Sequence, residues 1–262
     1  MHTPTGGVAS VSPGEQDDRE TPPSPAAPPR AGRRGEDAMD LQLHGTAALI
    51  TGAGSGIGRA TAVALAAEGV RVALLDRDRA AVEVTAAAVR ASETATGDAV
   101  VVVADVTDED QVRTAVEDAV EMLGRLDAVV CCAGVSGPVG ASIEEIDLAA
   151  WNAVLAVNVT GPFLVLKHAL PALRAAGAAS VVLLASDSAF VASPGMVPYC
   201  TSKAALVQFG RALAVDLADT GIRVNAVAPS IVDTPMSRGT SGRRRSTRRR
   251  SRCRRRRRSP PT

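Results

Sequence analysis

Between positions 45 and 227, short apolar runs alternate with longer stretches of helical periodicity. No other property of the chain constrains its fold as tightly. Ala47–Ile50, Val70–Leu75, Val100–Val103, Leu126–Cys132, Ser180–Ala185 and Ile222–Val227 read as strands built from Val, Leu, Ile and Ala. Between them, helical patterns cover Ile57–Glu68, Asp78–Arg90, a stretch with apolar residues at Val112, Val116, Ala119 and Leu123, and then Asp147–Val157, Val159–Ala176 and a helix from Tyr199. Strands separated by helices of ten or more residues form βαβ units with right-handed crossovers. They predict an α/β fold: one parallel sheet of about six strands, covered on both faces. No solenoid-type repeat is present.

The flanks differ from this body. Residues 1–40 are rich in Pro, Gly, Ser and charge, as in Thr21–Pro29, and lack the apolar content to offset their ordering entropy. They are expected to be disordered, and Met39, just before the ordered pattern, is a candidate translation start. The formal net charge of +1 hides an asymmetry. Between 41 and 236 there are 12 basic and 21 acidic residues, whereas 13 arginines follow position 236. The organisation read from this is a disordered extension over 1–40, one domain over 41–236, and an Arg-rich disordered tail over 237–262. None of the four cysteines has Cys-x-x-Cys spacing, so neither a metal site nor a disulfide framework is suggested, and reduced thiols fit a cytoplasmic setting. No apolar run approaches the ~18 residues of a membrane helix, and no signal-peptide segment opens the chain.

Thr51-Gly52-Ala53-Gly54-Ser55-Gly56-Ile57-Gly58 joins the first strand to the first helix. Glycines here allow a tight turn and close approach of backbone to a pyrophosphate, whose charge a helix N-terminus favours. Glycine-rich loops also make plain turns; the context is what separates the two. Asp76 ends the second strand 24 residues after Gly52, where an acid binds ribose hydroxyls. A carboxylate there repels a 2′-phosphate, so NAD is favoured over NADP, with Arg59 and Arg77 as the counter-argument.

A second constellation runs from Ser186 to Lys203. Tyr199 and Lys203 are four apart at the start of a helical pattern, so phenol and amine share one face. Ser186 lies 13 residues before Tyr199 at the end of a buried strand, where sites in open α/β sheets form. Ser188 and Ser193 are same-type neighbours, and spacing favours Ser186. A free tyrosine titrates near 10, so a phenol acting as a base at neutrality must be shifted by about 4 kcal/mol. One ammonium about 4 Å away at an effective dielectric of ~20 supplies that much.

In these residues the chain resembles the short-chain dehydrogenase/reductase family over about 41–236. The matching elements are Thr51-Gly-x-x-x-Gly-Ile-Gly58, Asp105-Val106, Ala133-Gly134, Asn158, Ser186, Tyr199-x-x-x-Lys203 and Arg223-Val-Asn-Ala-Val-Ala-Pro229. The resemblance implies a Rossmann-like doubly wound sheet and interconversion of a secondary alcohol and a ketone by hydride transfer. By the same resemblance Tyr199 is the acid/base, Lys203 lowers its pKa and holds the nicotinamide ribose, Ser186 binds the reacting oxygen, and Asn158 completes a proton relay through water. Gly52, Ser55, Gly56, Ile57 and Gly58 are expected at the pyrophosphate, Asp76 at the ribose, Asp105 and Val106 around adenine, Ala133 and Gly134 along the cofactor, and Pro229, Ile231 and Thr234 at its carboxamide end. Association into a homo-oligomer is expected through helices near 159–176 and 199–219.

The chain departs from the family pattern in three places. Cys131-Cys132 stands where the family has Asn-Asn, which removes an amide beside the adenosine ribose. Pro229-Ser230 replaces Pro-Gly and puts a Cβ at a tight turn. After Met236 the family's substrate-covering loop, following helices and seventh strand give way to the arginine run. That run is read first as the product of a frame error in a GC-rich coding sequence, then as a solvated arm. Nucleic acid, which arginine arms can bind through phosphate, is not the expected partner. With an open cleft, low or no dehydrogenase activity is expected of the chain as it stands. The expected rival to an active enzyme is a fold that still binds dinucleotide or pairs with intact homologues.

Overall fold

A computed structural model describes residues 40–92 and 98–239. The expectations of disorder over 1–39 and 240–262 lie outside the described residues. The strands are β1 (Ala47–Thr51), β2 (Arg71–Asp76), β3 (Ala99–Val103), β4 (Ala128–Cys131), β5 (Ala179–Leu184) and β6 (Ile222–Val227). All pair in parallel in the order β3-β2-β1-β4-β5-β6. The helices are α1 (Gly56–Ala67), α2 (Arg79–Arg90), α3 (Glu109–Leu123), α4 (Leu148–Leu155), α5 (Gly161–Ala175) and α6 (Val197–Asp216).

Strand alternation divides the core in two. Ala47 and Leu49 of β1, with Ala73 and Leu75 of β2, face the cluster built with α3, α5 and α6. Their neighbours Ala48, Ile50, Val72 and Leu74 face the cluster built with α1 and α2. Short polar side chains set the helix starts: Asp78, Asp108 and Asp147 each accept a hydrogen bond from the backbone three residues on. Gly124, at φ 72°, ends α3 in the left-handed conformation.

Three expectations need correction. The sheet is not covered on both faces throughout. Ala179, Val181 and Leu183 of β5 are buried, but Ser180, Val182 and Leu184 are half-buried, and Asn225, Ala226 and Val227 of β6 are exposed. Among the described residues, no element lies beyond β6 to cover them. Second, the two helices expected on either side of residue 158 are one continuous helical stretch. A π turn over Ala156–Thr160 joins α4 to α5 and absorbs the irregularity that reads in the sequence as a break. This stretch, Leu148–Ala175, is long and apolar enough to span a membrane by length and composition alone. One face of it packs into the core: Leu164, Val165, Leu166, Ala169 and Leu173 are buried, and Lys167 pairs with Glu109 of α3 at 2.5 Å. Third, order continues past Met236. Residues 235–239 are helical, Arg238 donates to both carboxylate oxygens of Asp233 at 2.7 and 2.8 Å, and the Arg238 backbone N–H donates to Thr234.

The strand order reverses between β1 and β4, β2 lying on one side and β4 on the other. Connections after these strands leave in opposite directions, and a cleft opens at their carboxyl ends.

Candidate active site

That cleft has a volume of about 560 Å³ and takes in the glycine turn after β1, the ends of β2 to β5, the start of α6 and the segment after β6. Every residue expected in the site lines it except Asn158.

The glycine turn is shaped by close backbone approach. Gly52 has φ +66°, and a Cβ on it would stand 2.7 Å from the Ala133 backbone nitrogen. A Cβ on Gly58 would stand 2.2 Å from the Gly52 carbonyl oxygen, so α1 can begin beside its own strand only without a side chain there. Thr51, 2 % exposed, accepts from the Ala133 N–H at 3.1 Å and ties the ends of β1 and β4 together. The result is a concave cradle with a helix N-terminus behind it, which matches a pyrophosphate. The Asp76 carboxylate accepts from Gly54 at 2.9 Å and from Asp78 at 3.1 Å, which holds it at the rim. Both arginines that could favour a 2′-phosphate are engaged. Arg59 donates to the Gly54 carbonyl and to Thr85, while Arg77 lies 3.6 Å from Asp105. Hydrogen bonds from Thr107 and the nearby Arg77 hold the Asp105 carboxyl below its ordinary value.

The reacting groups converge at the other end. Ser186, 6 % exposed, follows the last residue of β5 by two positions, and its hydroxyl is within hydrogen-bonding reach of the Tyr199 phenol. Lys203 is 4 % exposed; its Nζ donates to the Leu184 carbonyl at 2.6 Å and lies 5.7 Å from the Tyr199 ring centre. Burial pulls this amine down to about 8. The phenol moves opposite to the sequence expectation: desolvation, and then the charge of Asp187 and the neighbouring Cys200 thiol, raise it above its ordinary value, with Ser186 acting against them. The lysine that was to lower it is itself desolvated and turned to a carbonyl.

Asn158 stands behind the cleft. The π turn directs it inward, fully buried, where Oδ1 accepts from Val135 at 2.8 Å and Nδ2 donates to the Val135 carbonyl and to Ser202, each at 2.9 Å. Ser202 in turn donates to the Tyr199 carbonyl at 2.7 Å. Both ends of the amide are occupied, so this side chain is a brace linking the β4 loop to α6. Ser202 was missed in the sequence, where it is an ordinary polar residue 44 positions from Asn158.

The departures from the family pattern are accommodated. Cys132 lines the cleft as a neutral thiol, pushed up by burial to about 11, and Cys131 beside it is buried in the core and raised further. Ser230 adds no backbone strain, since Gln42 is the only non-glycine with positive φ among the described residues. Its side chain, with those of Ser186 and Ser188, holds the Asp187 carboxyl below its ordinary value. Among the described residues, no group of three or more metal-binding side chains occurs.

The comparisons agree with this fold. The family model for short chain dehydrogenase matches residues 46–244. A short-chain dehydrogenase of Aspergillus ruber is 41% identical over 205 residues, covering 72% of this chain and 75% of that protein. The cis-4-hydroxycyclohexanecarboxylate dehydrogenase of Sinomonas cyclohexanicum is 40% identical over 200 residues, covering 76% of this chain and 78% of its own. The solved structure of a short chain dehydrogenase from Mycobacterium paratuberculosis bound to NAD superposes with a TM-score of 0.72 at 33% identity, covering 78% of this chain and 80% of that one. A parallel sheet in this strand order, a glycine cradle at its switch point and a family match across three-quarters of the sequence converge on one assignment: the chain belongs to the short-chain dehydrogenase family, whose relatives here are oxidoreductases named for acting on alcohols.

Proposed function

We propose that this chain interconverts a secondary alcohol and a ketone with NAD. The observation that carries the reading is the single cleft in which the glycine cradle and the Ser186–Tyr199–Lys203 cluster lie end to end. A nicotinamide dinucleotide bound there supplies the hydride acceptor for the alcohol, or the donor for the ketone. Gly52, Ser55, Gly56, Ile57 and Gly58 hold its pyrophosphate, Asp76 its ribose, Asp105, Val106, Ala133 and Gly134 its adenosine half, and Pro229, Ile231 and Thr234 its far end. NAD fits better than NADP because Asp76 faces the ribose position and Arg59 and Arg77 are already engaged.

Ser186 holds the reacting oxygen, and Tyr199 accepts the alcohol proton at its phenolic oxygen or returns it to the alkoxide. Lys203 places a buried positive charge beside that exchange and holds the sugar near it. Asn158 braces the cluster from behind. The raised phenol keeps Tyr199 protonated at neutral pH, ready to donate in the reducing direction; oxidation gains as the medium becomes alkaline. We place the protein in the cytoplasm as a homo-oligomer.

The test is turnover of NAD with cyclohexanol, a neutral ring alcohol chosen because one relative is named for a hydroxycyclohexane substrate. Tyr199→Phe is expected to lower kcat/KM about a thousandfold. Turnover by the wild type is expected to be low because the cleft is open, and a variant as active as wild type would overturn the assignment.

A further inference from the structure

The charges on the cleft wall carry an inference that rests on the reading above. Among the described residues, five charged side chains line the cleft: Asp76, Arg77, Asp105, Asp187 and Lys203. Arg77 lies 3.6 Å from Asp105, and Asp76 is held by the backbone of Gly54 and Asp78. These three belong to the ribose and adenine end. Lys203 is 4 % exposed, with its ammonium turned to the Leu184 carbonyl. Asp187 is left as the charge that meets whatever the reacting end holds.

Its place is fixed from three sides. The backbone N–H donates to the Pro229 carbonyl at 3.0 Å, and its own carbonyl accepts from Phe190 at 2.8 Å and Val191 at 2.9 Å. The side chain is half-buried, and its carboxylate lies 3.0 Å from the Ser186 hydroxyl and 3.4 Å from that of Ser188. Among the described residues, the groups that hold the carboxylate are the hydroxyls of Ser230, Ser186 and Ser188 and the Ser188 N–H, and none of them is a cation. They keep it ionised at neutral pH and leave its charge uncancelled. That charge reaches the reacting end, since it helps to raise the Tyr199 phenol. A substrate oxygen hydrogen-bonded to Ser186 lies within about 6 Å of it.

We propose that Asp187 selects substrate by charge, so that the cleft favours alcohols and ketones bearing an amine, accepts neutral ones and rejects their carboxylate counterparts. An ammonium a few bonds from the carbinol carbon finds a carboxylate with no counter-ion. A carboxylate in the same place meets a like charge, and repulsion of this kind is how a site discriminates against near-identical ligands. The other cleft residues between Ser186 and Tyr199 are Ser188, Ser193 and Met196, all neutral, so nothing on that segment compensates. Lys203 acts in the opposite sense from behind the wall, and comparing chains with and without the Asp187 charge separates the two.

The ligands are cyclohexanol and its trans-4-amino and trans-4-carboxylate derivatives, which share a ring and a hydroxyl and differ in charge at pH 7. Dissociation constants are measured by ligand-observed NMR on the full chain with NADH present. An alcohol and a reduced cofactor cannot react, so the readout is binding rather than turnover. Wild type is expected to bind the amino alcohol about tenfold more tightly than the carboxylate, with cyclohexanol between. In Asp187→Asn, with circular dichroism confirming the fold, this preference is expected to vanish or reverse. Equal binding of the two ions by wild type, binding of none of the three ligands, or a preference retained in Asp187→Asn overturns the proposal.

Should Asp187→Asn not fold, salt decides the same point in wild type. Raising ionic strength from about 0.02 to about 0.5 M is expected to compress the preference at least threefold, and a preference unmoved by salt counts against a charge as its source. Replacing NADH by NAD in the same samples tests turnover separately. The charge order with Tyr199→Phe as active as wild type sinks the functional reading alone. Turnover that depends on Tyr199 without the charge order sinks only the role of Asp187.

Discussion

Lys203 is an amine held 4 % exposed against one carbonyl, and that placement works against stability. Its proton stays on up to an ordinary 10.5 in the unfolded chain but only to about 8 in the folded one. Between those values the unfolded state binds more protons, so stability rises with pH there, and below about 8 the full penalty of the buried charge remains. Lys203→Met is therefore expected to stabilise the fold at pH 7 by up to about 3 kcal/mol, with the gain shrinking as pH approaches the unfolded value. Urea unfolding of the two proteins across this range measures it, and a variant less stable than wild type at neutral pH counts against the account. The sequence made the position of this lysine legible through its four-residue spacing from Tyr199. It could not reveal the direction of the phenol's shift. Burial sets that direction first, and Asp187, a neighbour whose partners Ser230 and Pro229 are more than 40 residues away, only adds to it.

At the scale of elements, strands and most helices read directly from periodicity because alternate strand residues enter two separate clusters. The join between α4 and α5 did not read, because a π turn carries no apolar signature of its own; the inward turn of Asn158 and its pairing with Ser202 come only with it. The same α5, together with α6, presents apolar side chains to solvent: Phe163 is 47 % exposed and Val215 76 %. Exposed groups of that size are the expected anchors of the homo-oligomer proposed above. Sedimentation velocity is expected to give a mass above the 26.8 kDa monomer, with Phe163→Glu or Val215→Glu shifting the boundary to the monomer. A wild-type chain that sediments as a monomer contradicts this role for the two helices.

For the molecule as a whole, strand order sets function. Six parallel strands reverse direction of winding between β1 and β4, and every side chain expected in the site other than the buried Asn158 opens onto the cleft at that reversal. Cofactor and chemistry share one cleft because α6 starts where β5 ends, which brings Tyr199 over the same opening as the glycine turn. An open edge at β6 was legible from the family elements missing after Met236, but which residues of β5 and β6 it leaves uncovered was not, since a buried strand and a strand with one open face use the same Val- and Ala-rich composition. Activity in this cleft requires the cradle to accept a dinucleotide, and NADH fluorescence titration of the full chain tests this directly. Saturable binding is predicted, tighter for NADH than for NADPH, weakened about tenfold by Asp76→Ala and retained in Tyr199→Phe. A wild-type chain that shows no saturable binding of either dinucleotide would contradict the account.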